Sequence, residues 1–253
     1  MNPKKRIWII GCSSGIGLEF LKLCLNANYL IVASSRTARS NCSLLKLKER
    51  YKEQMYLIDI DVSVKEKIKE KTKEAWTCFN GLDIWFYNAG AYNIMSIDSW
   101  DINKFEQMNE VNYLGVVRLM TEIAPYFKAQ GKGHWVWNAS LSSYFGLPQG
   151  GAYSAPKAAL VNLAQSLQPE LDLINIKLQI INHGFVKTKL TSKNKFKMPQ
   201  LMEAEFTARK IFEGIKNPNL FEITFPYFLR FLLKFLRFLP YKISLKFTKR
   251  IIG

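Results

Sequence analysis

Six short runs of apolar, β-branched and aromatic residues lie at 6–10, 29–33, 55–60, 84–87, 133–138 and 176–181, with helix-length segments between them. Helical patterns occupy 15–27, 44–53, 65–78, 104–129 and 152–172. The strand runs are apolar almost throughout rather than alternating with polar residues, so both faces of each strand must be covered. Strands of that kind, separated by helices, restrict the chain to an α/β architecture with a doubly wound parallel sheet and helices on both faces. A further run at 220–225 brings the count to about seven strands. Sheets of this type take their ligands outside the carboxyl ends of the strands.

Length supports a single core: 253 residues, 48% hydrophobic and 22% charged, suit one globular domain. No Pro- or Gly-rich linker, internal repeat or low-complexity run divides the chain. We read residues 1–225 as the α/β domain and 226–253 as a basic amphipathic tail, either part of the same domain or a membrane or interface element. The four cysteines (Cys12, Cys24, Cys42 and Cys78) form no C-x-x-C pair, and only His134 and His183 could add nitrogen ligands. No metal site is expected, and reduced cysteines fit a cytoplasmic protein. The basic start followed by Ile7–Ile10 is too short for a signal sequence and runs into a glycine turn, so it reads as the first strand. No segment offers the ~20 apolar residues of a spanning helix.

Directly after the first strand comes G-C-S-S-G-I-G, Gly11 to Gly17. Glycines here allow a tight turn and close backbone approach, and the following helix N-terminus faces a phosphate. The context is that of a Rossmann fold, although the spacing is G-x-x-x-G-x-G. The second strand runs into Ser34-Ser35-Arg36, where an acidic residue would hold the ribose hydroxyls of NAD. Arg36 instead offers a fork for a 2′-phosphate, so NADP(H) is expected over NAD(H). Asp61-Val62 follows the third strand, within reach of an adenine amino group, and Asn88-Ala89-Gly90 follows the fourth with small residues against which a cofactor can lie. Asn112, on the middle helix, is either a solvated polar residue or the holder of a water in a proton path. Tyr153 and Lys157 are one helical turn apart in G-A-Y-S-A-P-K-A-A-L, with Ser140 upstream. An ammonium beside a phenol favours the phenolate and draws the tyrosine toward proton-transfer range.

In order and spacing these elements resemble the short-chain dehydrogenase/reductase family over roughly residues 6–215. Gly11, Gly15 and Gly17 match its glycine motif, Asn88-Ala89-Gly90 its N-A-G motif, and Asn182-His183-Gly184-Phe185-Val186-Lys187-Thr188 its segment after the sixth strand. The resemblance implies a catalytic tetrad of Asn112, Ser140, Tyr153 and Lys157. It implies cofactor contacts from Gly11, Ser13, Ser14, Gly15, Ile16, Gly17, Ser35, Arg36, Asp61, Val62, Asn88, Ala89, Gly90, Tyr153, Lys157, Val186 and Thr188. It also implies hydride transfer between NADP(H) and a carbonyl or alcohol. Four departures stand out: Ile10 for threonine, Tyr87 for asparagine, Pro156 for serine and His183 for proline. Proline costs ~3 kcal/mol in a helix interior but almost nothing in the first turn, so the helix is expected to begin near residue 151 or 152 with its Tyr153–Lys157 geometry intact.

The net charge of +16 suggests a polyanionic partner or a heavily solvated surface. No recognised nucleic-acid motif accompanies it. The excess is sharpest in the tail, where Arg230, Lys234 and Arg237 form a basic stripe beside Phe and Leu, and Lys242, Lys246, Lys249 and Arg250 repeat it beyond Pro240. Such helices suit an anionic membrane interface, giving a peripheral location on the inner face of the membrane. The alternative is a tail folded over the substrate cleft or packed in an oligomer interface. A membrane-held enzyme would meet a lipophilic carbonyl or alcohol, with Phe145, Leu147, Pro148 and Phe185 as an apolar pocket. By analogy with relatives, the segments 104–129 and 152–172 are where a homo-oligomer would form. A catalytically idle dinucleotide-binding or sensing protein is the alternative function.

Overall fold

Alternating burial along each strand divides two cores across one sheet. In β1 (Arg6–Ile10), Ile7 and Ile9 enter one core while Trp8 and Ile10 enter the other. The structure, a computed structural model, describes residues 3–194 and 196–250; the expected tail's last residues, 251–253, lie outside that range. Seven parallel strands run in the order β3 (Met55–Asp59), β2 (Leu30–Ser35), β1, β4 (Ile84–Tyr87), β5 (Gly133–Asn138), β6 (Ile176–His183) and β9 (Glu222–Phe225). Helices α1 (Gly15–Asn26), α2 (Cys42–Arg50) and α7 (Ala204–Gly214) cover the Ile7 face. Helices α3 (Lys65–Thr77), α5 (Gly115–Gln130) and α6 (Gly151–Asp172) cover the Trp8 face. The order reverses between β1 and β4, so the strand ends β1, β2, β4 and β5 open on the crevice that such sheets use for ligands.

Three local differences from the sequence reading bear on function. The middle helix is not one rod: α4 (Ile102–Asn109) passes into a π turn at Glu110–Leu114 before α5 begins. The buried Tyr87 hydroxyl donates to the Val111 carbonyl at 2.6 Å inside that turn, and a Cβ on Gly115 would stand 2.5 Å from the same hydroxyl. Strand β6 continues two residues beyond the expected end, to His183, burying Asn182 against the Ser140 backbone. A two-residue parallel ladder, β7 (Val186–Lys187) with β8 (Met202–Glu203), pins both ends of the loop after β6.

The tail folds onto the domain as α8 (Tyr227–Phe238) and α9 (Tyr241–Lys249), broken at Pro240 as expected. Leu229, Leu233 and Leu236 of α8 are buried with Leu141 and Tyr144. Among the described residues no helix is long and apolar enough to cross a membrane.

Candidate active site

The turn between β1 and α1 is closed by contacts that leave no room for side chains. Gly11 sits at φ +86°, and a Cβ there would lie 2.6 Å from the Ala89 backbone; one on Gly17 would lie 2.1 Å from the Gly11 carbonyl oxygen. Asn88, beyond β4, donates from Nδ2 to that carbonyl at 2.7 Å, and its Oδ1 accepts from Asn138 Nδ2 at 2.8 Å. The ends of β1, β4 and β5 are thereby tied into one floor. Helix α1 carries no acidic residue in its first turn, so its N-terminal dipole is open to an anion.

A cleft of about 900 Å³ opens above this floor. Of the expected residues it is lined by Gly11, Ser13, Ser14, Gly15, Ile16, Ser35, Arg36, Asp61, Val62, Asn88, Ala89, Gly90, Ser140, Tyr153, Lys157, Val186 and Thr188. Gly17 is buried against the turn, and Asn112 is fully buried in the π turn, so neither lines the cleft. Arg36 is exposed just past β2, and Asp61 holds the next turn by accepting from the Ser63 backbone N–H at 2.9 Å and the Ser63 hydroxyl at 2.6 Å.

Helix α6 starts at Gly151 as expected, but that places Pro156 in the second turn rather than the first, where its missing N–H leaves the Ala152 carbonyl without its helical donor. The Tyr153–Lys157 geometry survives: Lys157 Nζ lies 5.9 Å from the Tyr153 ring centroid. Lys157 is buried and donates to the Asn138 carbonyl at 2.6 Å. Burial pulls its pKa down to about 7. Tyr153 departs from the expectation of a lowered pKa. Burial pushes its phenol up to about 12, the Ser140 hydroxyl opposes that shift and Tyr92 adds to it. Lys157 directs its hydrogen bond at Asn138 rather than at the phenol, which is protonated at neutral pH. Ser140 follows β5, with its backbone N–H donating to Asn182 Oδ1 at 3.1 Å and its hydroxyl accepting from the Ser142 N–H at 3.2 Å. The Asn112 amide is paired with the loop backbone: its Nδ2 donates to the Ala91 carbonyl at 2.8 Å and its Oδ1 accepts from the Ala91 N–H at 3.0 Å. Its structural work is to clamp the loop that follows Gly90.

His183 bridges Nδ1 to the Gly184 carbonyl at 2.7 Å and lines the cleft; burial holds its pKa down to about 4, so the ring is neutral. The apolar wall consists of Leu141, Leu147, Phe185, Phe196, Leu229 and Leu233. Leu147, Pro148 and Phe185 fall where the sequence reading put them, whereas Phe145 packs behind with α8 rather than in the cleft.

Sequence reasoning missed several supporting residues. Tyr92 meets the Tyr153 ring edge-on at 4.9 Å. Asn138 joins Lys157 to Asn88, and its place as the last residue of β5, two before Ser140, was the available signal. Glu222 begins the seventh strand and gathers Tyr144 Oη, Asn182 Nδ2 at 2.7 Å and Lys234 Nζ at 3.3 Å. Asn182 in turn accepts from the Ser140 N–H, so a continuous chain runs from α8 to the serine. Nothing local in the sequence marks that chain, because its members come from three distant segments.

Comparison with known proteins places this geometry. A family model described as short chain dehydrogenase matches residues 5–198. An uncharacterized oxidoreductase of Staphylococcus epidermidis is 27% identical over 85% of this chain and 93% of its own length. A short chain dehydrogenase from Burkholderia cenocepacia, solved in complex with NADP, superposes with a TM-score of 0.82 at 16% identity, covering 96% of this chain and 97% of that one. A short chain dehydrogenase/reductase from Burkholderia phymatum, in complex with NAD, gives 0.76 at 20% identity, covering 87% and 88%. The structural likenesses show a shared fold.

Proposed function

The chain belongs to the short-chain dehydrogenase family, and on that premise we propose that it is an NADP(H)-preferring oxidoreductase acting on the carbonyl or alcohol of a lipophilic compound. One observation carries the reading: Ser140, Tyr153 and Lys157 line the same cleft as the glycine turn and Arg36. The residues fit a nicotinamide dinucleotide. Gly11 and Gly17 let the turn close tightly, the α1 N-terminus is open to the pyrophosphate, and Arg36, exposed past β2, is the residue that would grip a 2′-phosphate. Ser35, Asp61 and Val62 would hold the adenosine end, and Asn88, Ala89, Gly90, Val186 and Thr188 the remainder. When bound, the reduced nicotinamide supplies the hydride.

The proton and the charge stabilisation come from the chain. Tyr153, protonated at neutral pH, donates to the substrate oxygen as negative charge develops there. The Ser140 hydroxyl donates a hydrogen bond to the same oxygen. Lys157, fixed by its hydrogen bond to Asn138, supplies the cation that stabilises the phenolate left behind. The same groups run in reverse for alcohol oxidation. Leu141, Leu147, Phe185, Leu229 and Leu233 give the substrate end of the cleft its preference for apolar compounds.

Assembly as a homo-oligomer is also proposed. The exposed Ile97, Trp100 and Ile102 beside α4 supply apolar surface for it, and sedimentation analysis tests it. The activity is tested by following reduced nicotinamide absorbance against aliphatic aldehydes and ketones of increasing chain length. Turnover with NADPH that rises with chain length supports the reading. Binding of NADPH with no turnover on any carbonyl or alcohol would replace it with the idle-binder alternative.

A further inference from the structure

Helices α8 and α9 are built inside out for a helix pair in water. On α8, Leu229, Leu233 and Leu236 face the domain, while Tyr227, Phe228, Phe231, Phe235 and Phe238 are exposed, from 50% at Phe235 to 85% at Phe238. At about 100° per residue the rings lie roughly opposite the leucines, with Arg230, Lys234 and Arg237 along one flank. The Phe231 and Phe235 rings stack at 6.3 Å on the outer face. On α9 the lysines Lys242, Lys246 and Lys249 hold the outermost face, and apolar residues are exposed on its two flanks. The small hydroxyl residues Ser244 and Thr248 face inward and hydrogen-bond carbonyls of their own helix, while Tyr241, Ile243, Leu245 and Phe247 are exposed. So many exposed large apolar side chains on two successive helices mark an interaction surface.

Charge identifies the occupant. Residues 223–253 contain seven Lys and Arg and no Asp or Glu. A second copy of the same face would bring like charge against like, whereas an anionic lipid surface satisfies both the rings and the cations. We propose that α8 and α9 dock on an anionic membrane, and that α8 is the wall between the bilayer and the substrate cleft. Its inner residues Leu229 and Leu233 line that cleft, and a helix with its side chains is only about 10–12 Å across. The substrate class follows from that placement: a long-chain carbonyl or alcohol partitioned in the lipid, reaching Tyr153 past the edge of α8 without crossing bulk water. The substrate part rests on the oxidoreductase reading above; the docking part does not.

The full-length protein is mixed with phosphatidylcholine vesicles, with and without phosphatidylglycerol, and the bound fraction is measured by co-sedimentation. Binding to the anionic vesicles alone, abolished by Phe231→Ser with Phe238→Ser, is expected. The triple variant Lys242→Gln, Lys246→Gln, Lys249→Gln should lower partitioning about 100-fold, from roughly 1 kcal/mol for each cation at the surface. Both variants should reduce a short, water-soluble aldehyde as the wild type does. With hexadecanal in the vesicles, wild-type turnover should exceed theirs by about the ratio of bound protein. Absence of vesicle binding overturns the proposal, as does a dimer in sedimentation that the Phe231→Ser, Phe238→Ser variant dissolves, which would make a second copy the occupant. Vesicle binding without turnover of any carbonyl keeps the docking surface and removes the substrate assignment.

Discussion

Replacing Glu222 with glutamine tests whether Ser140, the proposed catalytic serine, is held from across the sheet. Three donors converge on this carboxylate: Tyr144 Oη, Asn182 Nδ2 at 2.7 Å and Lys234 Nζ at 3.3 Å. Because Asn182 gives its N–H to Glu222, its oxygen is turned to the Ser140 backbone N–H at 3.1 Å and the Ser143 hydroxyl at 3.2 Å. Glutamine has one acceptor oxygen, and its amide N–H₂ would confront another donor. A buried donor left unpaired costs about 1–3 kcal/mol. The Lys234 pair adds less than about 1 kcal/mol, since the lysine side chain is 37% exposed. A total of about 2–3 kcal/mol corresponds to a fall in Tm of roughly 4–12 °C for a chain of this size. With Asn182 free to turn, Ser140 loses its fixed position. Complete loss of such a donor costs about 10²–10³ in kcat, so a loosened one should cost about 10-fold with KM little changed.

The acid limb gives an independent check of the same residue. Burial alone would raise the Glu222 carboxyl, but hydrogen bonds from Tyr144 and Asn182 together with the Lys234 ammonium hold it below the usual carboxylate range. A carboxyl lowered in the folded state contributes stability above its unfolded pKa and loses it as pH falls through the folded value. The glutamine variant should lack that part of the acid-induced loss. A Glu222→Gln protein with wild-type Tm, kcat and acid profile would refute the reasoning.

Two other perturbations probe the cofactor floor. Gly17→Ala puts a Cβ 2.1 Å from the Gly11 carbonyl oxygen, so the turn must shift. It should cost about 1–3 kcal/mol in urea unfolding and most of the NADPH affinity, whereas Gly151→Ala, with nothing within 4 Å of the new carbon, should leave both intact. Arg36→Ala removes the exposed fork after β2 and should lower kcat/KM for NADPH by about 10–100-fold while leaving that for NADH within about 2-fold, read from paired initial-rate series. Equal losses for the two cofactors would assign Arg36 to stability instead.

Much of the scaffold was legible because it is written in local chemistry. The strands at 84–87 and 133–138 match residue for residue, since short runs of aromatic and β-branched residues between polar segments leave little choice of boundary. The glycine turn and the Tyr153–Lys157 pair were legible for a similar reason, each being a short motif. What could not be read depends on contacts between distant segments. The π turn at Glu110–Leu114 is accompanied by the Tyr87 hydroxyl reaching Val111, a contact between β4 and the middle helix that no periodicity reveals. The Tyr153 pKa was misjudged because its sign depends on burial, which the i, i+4 spacing does not encode. The tail's two helices were expected from their pattern, but the inward turn of Ser244 and Thr248 on α9 was visible only once packed.

The central claim, proton donation by Tyr153 to a substrate oxygen in the Ser140–Lys157 cleft, is tested most directly by Tyr153→Phe. The ring keeps its packing against Tyr92, so NADPH affinity measured by fluorescence titration should stay at the wild-type value. Carbonyl reduction should fall by about 10²–10⁴-fold, the contribution of a positioned general acid. Wild-type turnover by Tyr153→Phe, with the cofactor bound as tightly as before, would contradict the account.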